Sequence, residues 1–179
     1  GVTLAACMAV SSLAGCSNSP GKQAAAPAGG ESAAAGSAAQ STATGDPIKV
    51  GVSNMVTGPM AAGGIRMKQA ITMAFEEINA NGGVLGGRPL EMVLVDDTGT
   101  PTGAVNAVNK ILGENVSVSI GPHTSPMASA TQELYRKAGV PFISAATSPK
   151  LLEAENPYFF RISVSDGAVG PAMVEFAKD

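Results

Sequence analysis

Hydroxyl residues stand directly before a proline at Thr100-Pro101, Ser125-Pro126 and Ser148-Pro149, and Thr57-Gly58-Pro59 is a looser version of this pattern. Such a pair is typical of a helix start, because the hydroxyl accepts a bond from a free backbone N–H and proline needs no N–H there. Helix N-termini carry a partial positive charge that suits a carboxylate, and hydroxyls bind either a carboxylate or an ammonium. The pattern therefore predicts either plain helix caps or a binding site for a small charged molecule.

Three other features could carry chemistry. Asp96-Asp97 could hold a metal ion or serve a phosphate-handling, flavodoxin-like enzyme, although such pairs more often cap turns or face water. His123 could be a general base, but no nucleophile stands beside it, and Arg161 is interpreted as a structural anchor. The chain has no G-x-x-x-x-G-K-[ST] loop and no G-x-G-x-x-G loop after a strand. We therefore expect no catalytic residue, no metal and no cofactor.

The elements that must position these residues alternate between strand and helix. Short β-branched or aromatic runs predict strands at 48–52, 90–95, 116–120, 140–144 and 158–162. Apolar residues at helical spacing predict helices at 61–80, 101–114 and 126–138, and a last helix from near Gly167 to Asp179. The alternation predicts an α/β fold, a doubly wound and mostly parallel sheet with helices on both faces. The turns after its strands would share one edge, where such folds bind ligands.

Composition excludes several classes of function. The 179-residue chain has 11 Lys and Arg against 14 Asp and Glu, a net charge of −3, so it has no basic surface for nucleic acid. Two cysteines and one histidine are too few for a zinc cluster, and no 18-residue apolar run occurs. All seven aromatic residues fall between Phe75 and Phe176, so the fold is expected after residue 46.

The N-terminal segment reads as an export signal. Residues 1–16 are uncharged, small and apolar, and Leu13-Ala14-Gly15-Cys16 resembles the bacterial lipobox, in which the cysteine is acylated. We expect residues 1–16 to be a partial lipoprotein signal peptide and Cys16 to be lipidated; the alternative is a buried cysteine in a short apolar helix. Residues 17–46 contain 10 Ala, 5 Gly and 5 Ser, which predicts a disordered tether rather than an Ala-rich helix.

Residues 47–179 resemble the first lobe of type I periplasmic binding proteins, in particular the leucine/isoleucine/valine-binding proteins of ABC importers. The resemblance lies in IKVGV with TGPMAAGG, INANGGVLGGRPLEMVLVDD, IGPHTSPMASA, GVPFISAATSP and NPYFFRISVSDGAVGPAMVEF. Members of that family close two α/β lobes around a ligand. The resemblance therefore implies that this chain is an N-terminal fragment, with residues 47–179 as the first lobe and the second lobe missing.

By resemblance, the first lobe holds the carboxylate of an amino acid and part of its ammonium. The candidate ligand-binding residues at the matching turns are Thr57, Gly63, Thr124, Ser125, Ala145, Ala146 and Thr147. Branched-chain members often carry an aromatic ring near the place of Gly63, and this chain has none there.

The expected function is that of a substrate-binding lipoprotein of an ABC importer. It would capture an amino acid of the branched-chain type, or a similar small zwitterion, and deliver it to a membrane permease without chemical change. The lipid anchor would hold it at the extracytoplasmic face of the cell membrane. The alternative is an extracytoplasmic ligand-sensing domain of a signalling receptor, and no nucleic acid partner is expected in either case.

Overall fold

The computed structural model describes residues 43–178, and in this part of the chain five strands form one sheet. The strands are β1 (Ile48–Asn54), β2 (Leu90–Asp96), β3 (Val118–Ile120), β4 (Phe142–Ser144) and β5 (Phe159–Arg161). Every pairing between them is parallel, and their order across the sheet is β2-β1-β3-β4-β5. The predicted parallel α/β architecture is therefore confirmed.

The helices are α1 (Ala61–Ala80), α2 (Pro101–Gly113), α3 (Ser125–Ala138), α4 (Lys150–Glu153) and α5 (Asp166–Phe176). The four longer helices begin within one residue of their predicted starts. The sequence did not predict α4, because a single turn is too short to show an apolar periodicity.

Helices cover both faces of the sheet, as predicted. In the sheet β2 lies on one side of β1 and β3 on the other, so the connection from β1 to β2 and the connection from β2 to β3 cross the sheet in opposite directions. Right-handed crossovers therefore place α1 on the face opposite α2 and α3. The main core lies under α2 and α3, where the Tyr135 and Phe142 rings stack with centroids 4.3 Å apart and Phe159 follows at 5.1 Å from Phe142.

The last residues that the sequence assigned to the tether make backbone contacts with the domain. Ala43 donates a backbone hydrogen bond to the Asn79 carbonyl at 3.2 Å, and Gly45 donates one to the Gly87 carbonyl at 2.9 Å. Residues 43–46, assigned to the tether from sequence, thus contact the domain. The predicted signal peptide, Cys16 and the rest of the tether lie outside the described residues. Within residues 43–178 no helix combines the length and apolar character that crossing a membrane requires.

Candidate ligand-binding site

The carboxyl-terminal edge of the sheet gathers the predicted turns. The strand order reverses between β1 and β3, and the crevice beyond such a reversal is where doubly wound sheets bind ligands. Parallel registers align the strand ends, with Val52 opposite Ile120 and Ile120 opposite Ile143. Thr57, Ser125 and Thr147 therefore follow strands that end at one edge, as the sequence predicted.

Gly121 allows β3 to leave the sheet beside β1. Its φ is +88°, and a Cβ there would lie 2.1 Å from the Ser53 carbonyl oxygen. An L-residue with a side chain would be strained in this conformation and would push the ends of β1 and β3 apart. The glycine thus brings the turn that carries Thr124 and Ser125 close to the switch point of the sheet.

The Ser125 hydroxyl joins two of the turns. Its Oγ accepts a hydrogen bond of 3.1 Å from the Ser148 backbone N–H, which links the turn after β3 to the turn after β4. Because oxygen acts only as acceptor in this bond, the hydroxyl hydrogen of Ser125 is still available to a ligand.

The start of α3 differs from the pattern inferred from sequence. In α2 the hydroxyl before proline caps the helix, since Thr100 Oγ1 accepts from the Gly103 N–H at 3.0 Å. In α3 the N-cap is Thr124, one residue earlier than the serine–proline pair implies, and its side chain makes no capping bond. The expectation that Ser125 caps α3 is wrong because Ser125 is already the first residue of the helix, and its hydroxyl instead accepts from Ser148. No side chain within residues 43–178 accepts a hydrogen bond from the first N–H groups of α3.

Thr57 is tied to Asp96 across the turns after β1 and β2. The Thr57 hydroxyl donates to Asp96 Oδ2, and Asp96 Oδ1 accepts from the N–H groups of Val56 at 3.1 Å and Thr98 at 2.9 Å. Burial opposes ionisation, but these hydrogen bonds outweigh it and hold the pKa of Asp96 below its ordinary value. Thr57 has donated its only hydroxyl proton, so it can offer a ligand only lone pairs.

Asp97 points into the protein and supports the same turn. Burial raises the pKa of its carboxyl, against the hydrogen bonds from the Gly99 N–H at 3.0 Å and the Ser53 hydroxyl at 3.0 Å. Asp96 and Asp97 thus bind different loop groups. No cluster of three potential metal-ligating side chains occurs within residues 43–178.

Side chains of neighbouring residues hold the backbone of the turn after β4. Ala146 is buried, its N–H donates to Ser144 Oγ at 3.1 Å, and its carbonyl accepts from Ser163 Oγ at 3.2 Å. Ala145 is half-buried beside it. Arg161 Nη1 donates to the Ser148 carbonyl at 3.3 Å, which agrees with its interpretation as a structural anchor.

Gly63 lies apart from the hydrogen-bond network of these turns. It lies exposed in the first turn of α1, and a Cβ built there would meet no heavy atom within 4 Å. The sequence pattern placed it near the ligand, but no contact of Gly63 with the other candidate residues supports that role.

Two buried polar groups near the switch point were not expected from sequence. Both ring nitrogens of His123 and the Asn54 Oδ1 are buried without a hydrogen-bond partner among the described residues. Burial lowers the pKa of His123 to about 4, so the ring is neutral at ordinary pH. The sequence singled out His123, but no sequence signal shows that its nitrogens or the Asn54 Oδ1 are unpaired, because that depends on what packs around them. The buried nitrogens of His123 also cannot reach a substrate as a general base in this arrangement.

The sequence profile of a family described as periplasmic binding protein matches residues 47–179. The chain belongs to the periplasmic binding protein family. Among its relatives, the leucine-, isoleucine-, valine-, threonine- and alanine-binding protein of Pseudomonas aeruginosa is 33% identical over 135 residues, which cover 75% of this chain and 36% of that protein. This confirms the resemblance to the leucine/isoleucine/valine-binding branch.

Solved structures of periplasmic binding proteins share the fold. LivJ of Streptococcus pneumoniae, a branched-chain amino acid transporter substrate-binding protein in complex with isoleucine, matches with a TM-score of 0.64 and 32% identity over 68% of this chain and 35% of its own. A solute-binding protein of an ABC transporter from Rhodopseudomonas palustris, in complex with 3,4-dihydroxybenzoic acid, matches with a TM-score of 0.60 and 27% identity over 68% and 33%. The chain thus spans about a third of the length of these relatives.

Proposed function

We propose that this chain is part of the substrate-binding protein of an ABC importer, which captures a branched-chain amino acid or a similar small zwitterion outside the cytoplasm. The observation that carries the proposal is the start of α3 beside the switch point, where uncapped N–H groups adjoin the Ser125 hydroxyl. Membership of the periplasmic binding protein family and the amino acids named for its relatives support it.

The turns at the carboxyl-terminal edge of the sheet offer two kinds of hydrogen-bonding group. Ser125 and the free N–H groups of α3 are hydrogen-bond donors at the positive end of a helix, which suits a carboxylate. Thr57 and Thr147 donate their hydroxyl protons to Asp96 and Asp166 and therefore present only acceptors, which suits an ammonium. A zwitterion matches both kinds of group, and its recognition requires no bond to break, so the proposed role is not enzymatic.

Binding tests this proposal directly. The full-length protein that contains this chain is titrated calorimetrically with leucine, isoleucine, valine, threonine and alanine, and with 3,4-dihydroxybenzoate as a carboxylate that lacks an ammonium. We expect at least one amino acid to bind more tightly than the dihydroxybenzoate. If none of the amino acids binds, the amino-acid proposal is wrong.

Variants locate the site. Ser125→Ala or Thr147→Ala should weaken binding by roughly 1–3 kcal/mol, the cost of leaving a buried polar partner unpaired. Ser117→Ala is the matched control, because Ser117 precedes β3 at the opposite edge of the sheet and is exposed. Unchanged affinity in both Ser125→Ala and Thr147→Ala would refute the proposed site.

The lipid anchor and the permease partner belong to the same proposal. Residues 1–16 would act as the signal, Cys16 would carry the lipid, and the segment from residue 17 would tether the lobe formed by residues 47–179 to the membrane surface. Cells that express the full-length protein are fed a clickable palmitate analogue: Cys16→Ser should abolish labelling, while Cys7→Ser should retain it. Equal labelling of both variants contradicts the anchor at Cys16.

Transport is separated from sensing by uptake. Deletion of the gene should abolish uptake of the radiolabelled amino acid that binds best, since a permease depends on its binding protein for delivery. Normal uptake, with a lost transcriptional response to that amino acid, would support the receptor alternative instead.

A further inference from the structure

A small polar pocket lies between α3 and α4. Its volume is about 220 Å³, and it is lined by Gln132, Glu133 and Arg136 of α3 and by Lys150 of α4. None of these residues belongs to the candidate ligand-binding site at the carboxyl-terminal edge of the sheet. The α3–α4 pocket is therefore a second feature of the domain, and the proposed function does not use it.

Gln132 gives this pocket a buried hydrogen-bond acceptor. The residue is 7% exposed, and its Nε2 donates to the Leu151 carbonyl at 3.1 Å. Because a carbonyl can only accept, this bond fixes the orientation of the amide and leaves Oε1 as its other end. That oxygen is buried without a hydrogen-bond partner among residues 43–178. An unpaired buried acceptor costs free energy, and a donor bound in the pocket would remove this cost.

The same pocket carries a positive charge. Arg136 donates from Nε and Nη2 to the two carboxylate oxygens of Glu133, both at 2.7 Å, and its other N–H groups are not used by this pair. Glu133 is the only acidic residue that lines the pocket in the described part of the chain, and Arg136 neutralises it. Lys150 has no carboxylate of residues 43–178 within 4 Å. The pocket therefore attracts an anion.

The buried acceptor and the positive charge together restrict which anion fits. Lone pairs of a fully deprotonated anion are attracted to Lys150 but repelled by Gln132 Oε1. Inorganic phosphate meets both demands, because at neutral pH it is negatively charged and still keeps at least one hydroxyl hydrogen. We propose that the α3–α4 pocket binds inorganic phosphate. Gln132 Oε1 accepts from the phosphate hydroxyl, and Lys150 and Arg136 donate to its other oxygens.

Phosphate and sulfate are matched probes of this proposal. They have the same shape and, at mildly alkaline pH, nearly the same charge, but only phosphate keeps a hydroxyl hydrogen. Equilibrium dialysis measures the binding of each radiolabelled anion to the full-length protein at constant ionic strength. Dimethyl phosphate serves as a competitor, because it resembles the phosphodiester of a lipid headgroup and has no hydroxyl hydrogen. We expect phosphate to bind at least about tenfold more tightly than sulfate or dimethyl phosphate.

Two variants locate the bound phosphate. Lys150→Met should weaken phosphate binding about tenfold, because it removes a charged donor. Lys110→Met is the matched control, since it removes the same charge from an exposed position of α2. Gln132→Met should lower the affinity for phosphate to that for sulfate, because a side chain of similar size replaces the acceptor. Urea unfolding verifies that each variant is folded, and the comparison of phosphate with sulfate needs no variant.

Three results would overturn the proposal. If the wild-type protein binds no phosphate, or binds sulfate equally well, the pocket does not recognise a protonated anion. If dimethyl phosphate competes as strongly as phosphate itself, the site takes a phosphodiester and the role of Gln132 is wrong. If Lys150→Met changes phosphate binding no more than Lys110→Met does, phosphate is bound elsewhere. None of these measurements involves an amino acid, so their outcome leaves the proposed function untouched.

Discussion

Gly63 and Gly64 are neighbours in the first turn of α1, yet the structure predicts opposite effects for the same substitution. A Cβ on Gly63 would meet nothing within 4 Å, whereas a Cβ on Gly64 would lie 2.0 Å from the Met55 carbonyl oxygen. Gly64 is buried where α1 approaches the turn after β1, and its own carbonyl accepts a 2.7 Å hydrogen bond from Asn54 Nδ2. The two substitutions therefore test how closely α1 packs against the turn after β1, at the carboxyl-terminal edge of the sheet.

The expected magnitudes follow from these contacts. Gly63→Ala should stabilise the fold by about 1 kcal/mol, the gain in helix propensity without any steric cost. Gly64→Ala makes the same gain, but forcing a methyl against backbone costs about 3 kcal/mol. Displacing the bond from Asn54 costs about 1 kcal/mol more. The net destabilisation is about 3 kcal/mol, so the two variants should differ by about 4 kcal/mol.

Urea unfolding of the full-length protein, followed by circular dichroism, measures the difference. The wild-type protein and both variants are compared at the same pH and temperature, and equal slopes of the free energy against urea confirm that the same transition is observed. If Gly64→Ala is as stable as Gly63→Ala, the close approach of α1 to the turn after β1 is incorrect.

Two further predictions concern buried polar groups. Ser119→Ala should destabilise the fold by about 2 kcal/mol, because the Tyr135 hydroxyl loses its hydrogen-bond partner at 2.8 Å in the core. Urea unfolding measures this loss, with Ser117→Ala as the exposed control. An equal effect of the two substitutions would contradict the prediction. The pKa of His123 is lowered to about 4 by burial, so the unfolded chain binds this proton more tightly than the folded one. The effect of His123 on the free energy of unfolding is therefore constant above about pH 6.5, and this free energy decreases by about 3 kcal/mol as the pH falls towards 4. Free energies of unfolding at pH 7 and 4.5 should therefore differ less in His123→Leu than in the wild-type protein. The raised pKa of Asp97 changes the stability in the opposite direction, but it does so equally in both proteins. An identical pH difference in the two proteins would show that His123 is solvated.

The order and type of the main elements could be predicted from the amino-acid sequence alone. The apolar periodicity of α2 and α3, the β-branched run of β1 and the punctuating glycines and prolines are local signals, and local signals decide where helices and strands begin. Their alternation also implied the parallel sheet and the edge that gathers Thr57, Ser125 and Thr147. One-turn elements such as α4 leave no such signal.

What each polar group of that edge can offer a ligand depends on partners that folding brings to it. Ser125 keeps its proton because Ser148, 23 residues later, donates to it, whereas Thr147 gives its proton to Asp166. Thr57 gives its own to Asp96, 39 residues away. A hydroxyl is a donor or an acceptor according to its partner, and folding brings these partners from distant parts of the chain. For the same reason, sequence could identify His123 but could not show that its nitrogens are buried without hydrogen-bond partners among residues 43–178.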